Sequence, residues 1–131
     1  LHTSGLHART MAGALVFADW VGFDVKAPFA DYTRVSGIDA GSKVNEALDL
    51  LLASGVDHEI RTTVQPSVIG AGEIRRIAFA LRQRGVRRYV LQEARTPDRR
   101  PWPGVTALDD SRLLAELATQ FPDFEVRRAS D

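Results

Sequence analysis

Cysteine is missing from all 131 residues. That absence excludes disulfides, thiolate metal centres and a cysteine nucleophile within this stretch. No apolar run approaches the ~20 residues needed to span a bilayer. No charged segment followed by an apolar core marks a secretory leader, and no lipidation motif occurs. A membrane partner is therefore not expected. Nor does charge of one sign prevail: Lys plus Arg number 17, and Asp plus Glu number 17. Such a balance gives no net field favouring nucleic acid or an anionic surface. The phosphate-cradling pattern Gly-x-Gly-x-x-Gly is absent too, and Gly70-Ala71-Gly72-Glu73 reads as a helix start. A cytoplasmic setting fits without being required. The chain opens on Leu1-His2-Thr3-Ser4-Gly5, the look of a strand end whose beginning is missing, so a fragment is expected.

What is present is a regular alternation. Val44, Ala47, Leu48, Leu51 and Leu52 recur at i, i+3, i+4, i+7 and i+8, with Gly55 behind them as a left-handed cap. Ile74, Ile77, Ala78 and Leu81 repeat that stripe and stop at Gly85. Leu113, Leu114, Leu117, Ala118 and Phe121 form a third, capped by Asp109 or Asp110 and stopped by Pro122. A weaker helix is expected over Ala8 to Ala18. Strand-like runs at 19–26, 58–64, 88–93 and 124–128 lie between them, and Arg95 to Thr106, rich in Pro and Gly, is a long loop. The expected fold class is α/β, one domain over 1–131, with right-handed crossovers and a parallel sheet. Two architectures share that alternation: part of a (β/α) barrel and an open doubly wound sheet.

The candidate site begins at Asp24 and Lys26, at the downstream end of the run Trp20 to Lys26. Strand side chains alternate, so Val21, Phe23 and Val25 share one face while Asp24 and Lys26 share the other. An acid and a base on the inner face of a buried strand are expensive unless they bind something. Ile60-Arg61-Thr62-Thr63-Val64 runs into Pro66 in the same way, and Tyr89-Val90-Leu91-Gln92 runs towards Pro97. Three strands bringing polar groups to one rim favour the barrel, whose sites gather there. The bland alternative is an ion pair plugging a barrel end, with Arg61 as counter-ion of Glu59 or Asp24. His58-Glu59 lies at the upstream end of its strand and is assigned to the surface, as is His7. Arg75, Arg76, Arg82, Arg84, Arg87 and Arg88 read as the solvated face of a helix and its surroundings, since no aromatic interleaving supports nucleic-acid binding.

In order along the chain, Leu1-His2-Thr3-Ser4-Gly5, Asp19-Trp20-Val21-Gly22-Phe23-Asp24-Val25-Lys26-Ala27-Pro28, Arg61-Thr62-Thr63-Val64 and Tyr89-Val90-Leu91-Gln92 resemble one family. Ser36-Gly37 after Tyr32, and Leu50 to Val56, add to the likeness. The chain resembles the radical S-adenosylmethionine activating enzymes, of the anaerobic ribonucleoside-triphosphate reductase activating type, from residue 1 to about Arg95. The resemblance implies the later portion of a partial TIM-type barrel of parallel (β/α) repeats. It departs in one major respect: family members carry a Cys-x-x-x-Cys-x-x-Cys loop upstream, which holds a 4Fe–4S cluster, and no such loop exists here. The family's upstream glycine-rich segment is also missing, and Ala94 stands where an aromatic is usual.

The resemblance implies the following chemistry for a complete enzyme. A reduced 4Fe–4S cluster, fed by a low-potential electron donor, cleaves S-adenosylmethionine to methionine and a 5′-deoxyadenosyl radical. That radical takes hydrogen from a glycine of the partner, an anaerobic ribonucleotide reductase. Lys26 would meet the cofactor's carboxylate, and Asp24 its ammonium group or a cation. Thr3 would offer a hydroxyl nearby, and Arg61, Thr63 and Gln92 would line the rim beside ribose, carboxylate or adenine. His2 stands where relatives often have Asp and receives no role. No catalytic residue and no metal ligand is expected within this chain, which alone would be inactive. Two other readings compete: a Schiff-base aldolase-like barrel with Lys26 as nucleophile, activated by burial and by Arg61, and a non-catalytic barrel remnant serving as an interaction module through unpaired sheet edges.

Overall fold

The computed structural model describes residues 2–3, 19–28 and 41–129. The expected helix over Ala8 to Ala18 and the Tyr32 and Ser36-Gly37 positions lie outside them. The described elements are β1 (His2–Thr3), β2 (Trp20–Asp24), α1 (Gly41–Ser54), β3 (Asp57–Val64), α2 (Ala71–Gln83), β4 (Arg88–Glu93), α3 (Ser111–Gln120) and β5 (Asp123–Arg127). A short 3-10 turn, Ala107–Asp109, precedes α3.

Five strands form one sheet in the order β1-β2-β3-β4-β5, and every neighbouring pair is parallel. Strand order follows chain order, so no reversal of winding, the hallmark of the doubly wound alternative, occurs among these strands. Right-handed crossovers that always step the same way put their helices on the same side. The core agrees with that rule. Val21, Phe23, Ile60, Val64, Tyr89 and Leu91 share one buried cluster with Leu48 and Leu51 of α1, Ile74, Ile77 and Leu81 of α2, and Leu113 and Leu117 of α3. The expected helical stripes face this layer, with Leu52 and Leu114 packed against it half-buried, except that Ala118 is exposed.

Caps are set by local chemistry. The Asp110 carboxylate accepts from the Leu113 N–H at 3.1 Å and starts α3, while Asp109 accepts from the Thr106 N–H at 2.8 Å and closes the preceding 3-10 turn. Glu73 Oε2 accepts from the Gly70 N–H at 3.2 Å at the start of α2. That helix ends with Val86 N–H on the Leu81 carbonyl and Gly85 N–H on the Arg82 carbonyl. This paired pattern needs a left-handed residue, and Gly85 has φ 78°. Gly55 closes α1 with φ 75°. One buried chain of hydroxyls ties three strands together on the helix side: Tyr89 Oη donates to Thr62 Oγ1 at 2.8 Å, which donates to the Val25 carbonyl at 2.9 Å. Among the described residues no helix is long and apolar enough to cross a membrane.

Candidate functional site

Parallel register partners share a sheet face, so the pairing decides which polar side chains meet. Asp24 pairs with Arg61, Thr63 with Gln92, Gly22 with Glu59, and Gln92 with Arg127. All of these lie on the face turned away from the helices. The expectation that Asp24, Arg61, Thr63 and Gln92 share one face is met by the register. Lys26 follows two residues after the end of β2, past Val25, whose N–H still bonds the Arg61 carbonyl at 2.8 Å. Thr3 sits on β1 as register partner of Phe23, so the sheet does not pair it with Asp24.

Within that face the residues divide into three groups. Asp24, Lys26 and Thr63 line a cleft of about 550 Å³ over the carboxyl ends of β2 and β3, together with Gln65, Val68 and Ile69. Arg61 is 7% exposed and does not line it. Its Nε donates to Asp24 Oδ1 at 2.9 Å, whereas its Nη1 is 4.0 Å from Glu59 Oε2. Of the two counter-ions considered for it, Asp24 is the direct one. Gln92 lies further along the rim, where its Nε2 donates to Thr63 Oγ1 at 2.8 Å and its side chain lines a second cleft.

Gly22 explains how a guanidinium crosses β2. A Cβ added there would sit 2.8 Å from Arg61 Cζ, closer than any relaxed carbon contact, so the absent side chain is the space Arg61 occupies.

The third group corrects the assignment of Glu59 to the surface. Glu59 is 3% exposed. Its carboxylate receives Arg127 Nη1 and Nη2 at 2.6 and 2.8 Å and Arg88 Nε at 3.2 Å. Arg88 also bonds Asp123 at 2.7 Å and Glu125 at 2.8 Å, and Arg127 bonds Glu125. An upstream position on a strand does not imply solvent when three guanidinium groups close over it. Burial pushes the Glu59 carboxyl up, but the hydrogen bonds and charges of Arg127 and Arg88 outweigh it and hold the group below its ordinary value. Arg88, expected among the solvated basic residues, is instead a bridge between three carboxylates. Arg84 likewise leaves that group, since it bonds Asp49 at 3.1 Å and also Asn45 of α1. The signal for this network was in the chain as polar residues alternating out of phase with the apolar ones: Glu59 and Arg61, then Arg88, then Glu125 and Arg127. Val90, fully buried, is the apolar floor of that face between β3 and β5.

Among the described residues no group of three or more His, Cys, Asp and Glu could hold a metal ion. The arrangement therefore offers two polar clefts on one rim of a parallel sheet, one with an acid and a base in its wall, and a charged belt beneath them. No family model, no curated protein and no solved structure matches this chain.

Proposed function

We propose that this chain is the S-adenosylmethionine-binding portion of a radical S-adenosylmethionine activating enzyme, a piece of a partial (β/α) barrel whose complete form generates a glycyl radical on an anaerobic ribonucleotide reductase. The observation that carries the reading is the cleft over β2 and β3, where Asp24, Lys26 and Thr63 converge beside Gln65, Val68 and Ile69. Its volume of about 550 Å³ falls within the roughly 300–1,000 Å³ usual for small-molecule sites. Strand order that follows chain order supports a barrel segment over an open doubly wound sheet.

The 4Fe–4S cluster does not fit these residues. Such clusters need thiolate ligands, and the 131 residues hold none. It would have to be held by residues outside this chain. S-adenosylmethionine does fit the donor set. Its amino-acid end is a carboxylate beside an ammonium, and the cleft wall offers the Lys26 ammonium beside the Asp24 carboxylate. When bound and reduced, that cofactor supplies radical chemistry. The chain's own part is binding and exclusion of water. Arg61 holds one oxygen of Asp24 and leaves the other to accept from an ammonium group. Thr63 is held by Gln92, which orients its hydroxyl toward the rim. Val68 and Ile69 give an apolar wall on which the nucleoside end can lie.

The Schiff-base reading finds less support, because Lys26 is exposed and lacks the desolvation that activates such a lysine. Calorimetric titration of S-adenosylmethionine into the chain tests the proposal. Saturable heat that falls at least tenfold in affinity in Lys26→Ala, with circular dichroism unchanged, is the expected result. No heat from the folded wild-type chain, or equal binding by the variant, overturns it.

A further inference from the structure

The second cleft, about 420 Å³ over the carboxyl ends of β4 and β5, shares only Gln92 with the reading above. Its charged walls are Arg95, Arg127 and Arg128 against Glu93 and Glu125. Two of the three guanidinium groups are committed. Arg127 is held by Glu59 and Glu125. Arg128 is shared by Glu93 at 3.7 Å, Asp109 at 3.5 Å and the Leu108 carbonyl at 2.7 Å. Arg95 is exposed and makes no side-chain hydrogen bond or ion pair among the described residues. Its backbone, by contrast, is fixed, since Arg95 forms an antiparallel bridge with Pro101 and the Ala94 N–H bonds the Val64 carbonyl at 3.1 Å. Gln92 gives one amide N–H to Thr63 and has a second with no partner among the described residues.

We infer that this cleft is an oxyanion subsite, in which Arg95 takes a carboxylate or a phosphate through its planar fork and Gln92 adds an amide donor. Three facts lead there. A guanidinium without a counter-ion stands in a concave wall rather than on an open helix. The two guanidinium groups beside it are neutralised by their own carboxylates, so the charge left over in the wall is that of Arg95. Bidentate recognition of a planar oxyanion is what a guanidinium does better than an ammonium. The two clefts touch through the Thr63–Gln92 hydrogen bond, Thr63 lining the first and Gln92 the second. An anion held by Arg95 therefore lies beside whatever fills the first cleft, which is where a second reactant belongs. The inference holds whichever molecule the first cleft takes.

Nitrogen-15 chemical shifts of the arginine Nε–Hε groups, followed during titration with inorganic phosphate and, separately, succinate at matched ionic strength, test it. One resonance, absent from Arg95→Gln, should shift saturably with at least one of the two anions. Arg95→Lys should bind at least threefold more weakly, because it keeps the charge and loses the fork. Saturation with phosphate alone marks a phosphate-bearing ligand, and saturation with succinate alone marks a carboxylate. Arg112→Gln, a loss of the same charge at an exposed position of α3, should leave the titration unchanged. A non-saturating response to both anions overturns the subsite, as does equal binding by Arg95→Gln or an equal loss in Arg112→Gln.

Discussion

Replacing Glu59 by Gln removes the buried carboxylate that receives both Arg127 and Arg88 and keeps its shape. The side chain is 4% exposed, against 38% for Arg127, 25% for Arg88 and 9% for Arg61. Removing one member of a buried ion pair costs roughly 3–5 kcal/mol, because the other charge stays desolvated. Arg127 and Arg88 can turn partly to water, and Arg61 keeps Asp24, so the lower end, about 3 kcal/mol, is expected here. That is a large share of a total stability of about 5–15 kcal/mol. With a urea slope of about 1–3 kcal/mol per molar, the unfolding midpoint should fall by about 1–3 M. Urea unfolding followed by circular dichroism measures it, and a fall under about 0.3 M would refute the hub. Acid gives an independent check with a defined sign. The folded Glu59 titrates below its ordinary 4.5, so its contribution is present above that value and is lost as pH falls through the folded one. Wild type and Glu59→Gln should converge in acid and stay apart at neutral pH. A gap that does not close as acid is added would show that the ionised carboxylate is not the source of the difference.

Two further substitutions probe the strands that carry the site. Gly22→Ala puts a Cβ 2.8 Å from Arg61 Cζ, so the Arg61 guanidinium must shift and loosen its bond to Asp24, at a cost of about 1 kcal/mol. Combined with Arg61→Leu in a double-mutant cycle, it should be clearly non-additive; simple addition would contradict the close approach. Tyr89→Phe removes the donor to Thr62 while the ring stays 5.0 Å from that of Phe121. About 1 kcal/mol should be lost, read as a fall of roughly 3–5 °C in thermal midpoint. An unchanged midpoint would mean that the hydroxyl chain does not bind the strands together.

The local spacing of apolar residues determined a good deal by itself. Stripes such as Ile74, Ile77, Ala78 and Leu81 can be buried on one side only as a helix, and their number and order required parallel strands between them. Alternation placed Asp24, Arg61, Thr63 and Gln92 out of phase with Phe23, Ile60, Thr62 and Leu91, so a shared polar face was legible before any strand had a neighbour. Register and burial were not. Whether Arg61 reaches Asp24 or Glu59 depends on which residues stand side by side across β2 and β3, and on Gly22 leaving room. Glu59 looked like a surface residue because a strand end says nothing about Arg88 and Arg127, which arrive from 29 and 68 residues further along the chain. Local pattern sets which way a side chain points. Only the assembled sheet decides what stands in front of it, because electrostatic partners are chosen by distance in space.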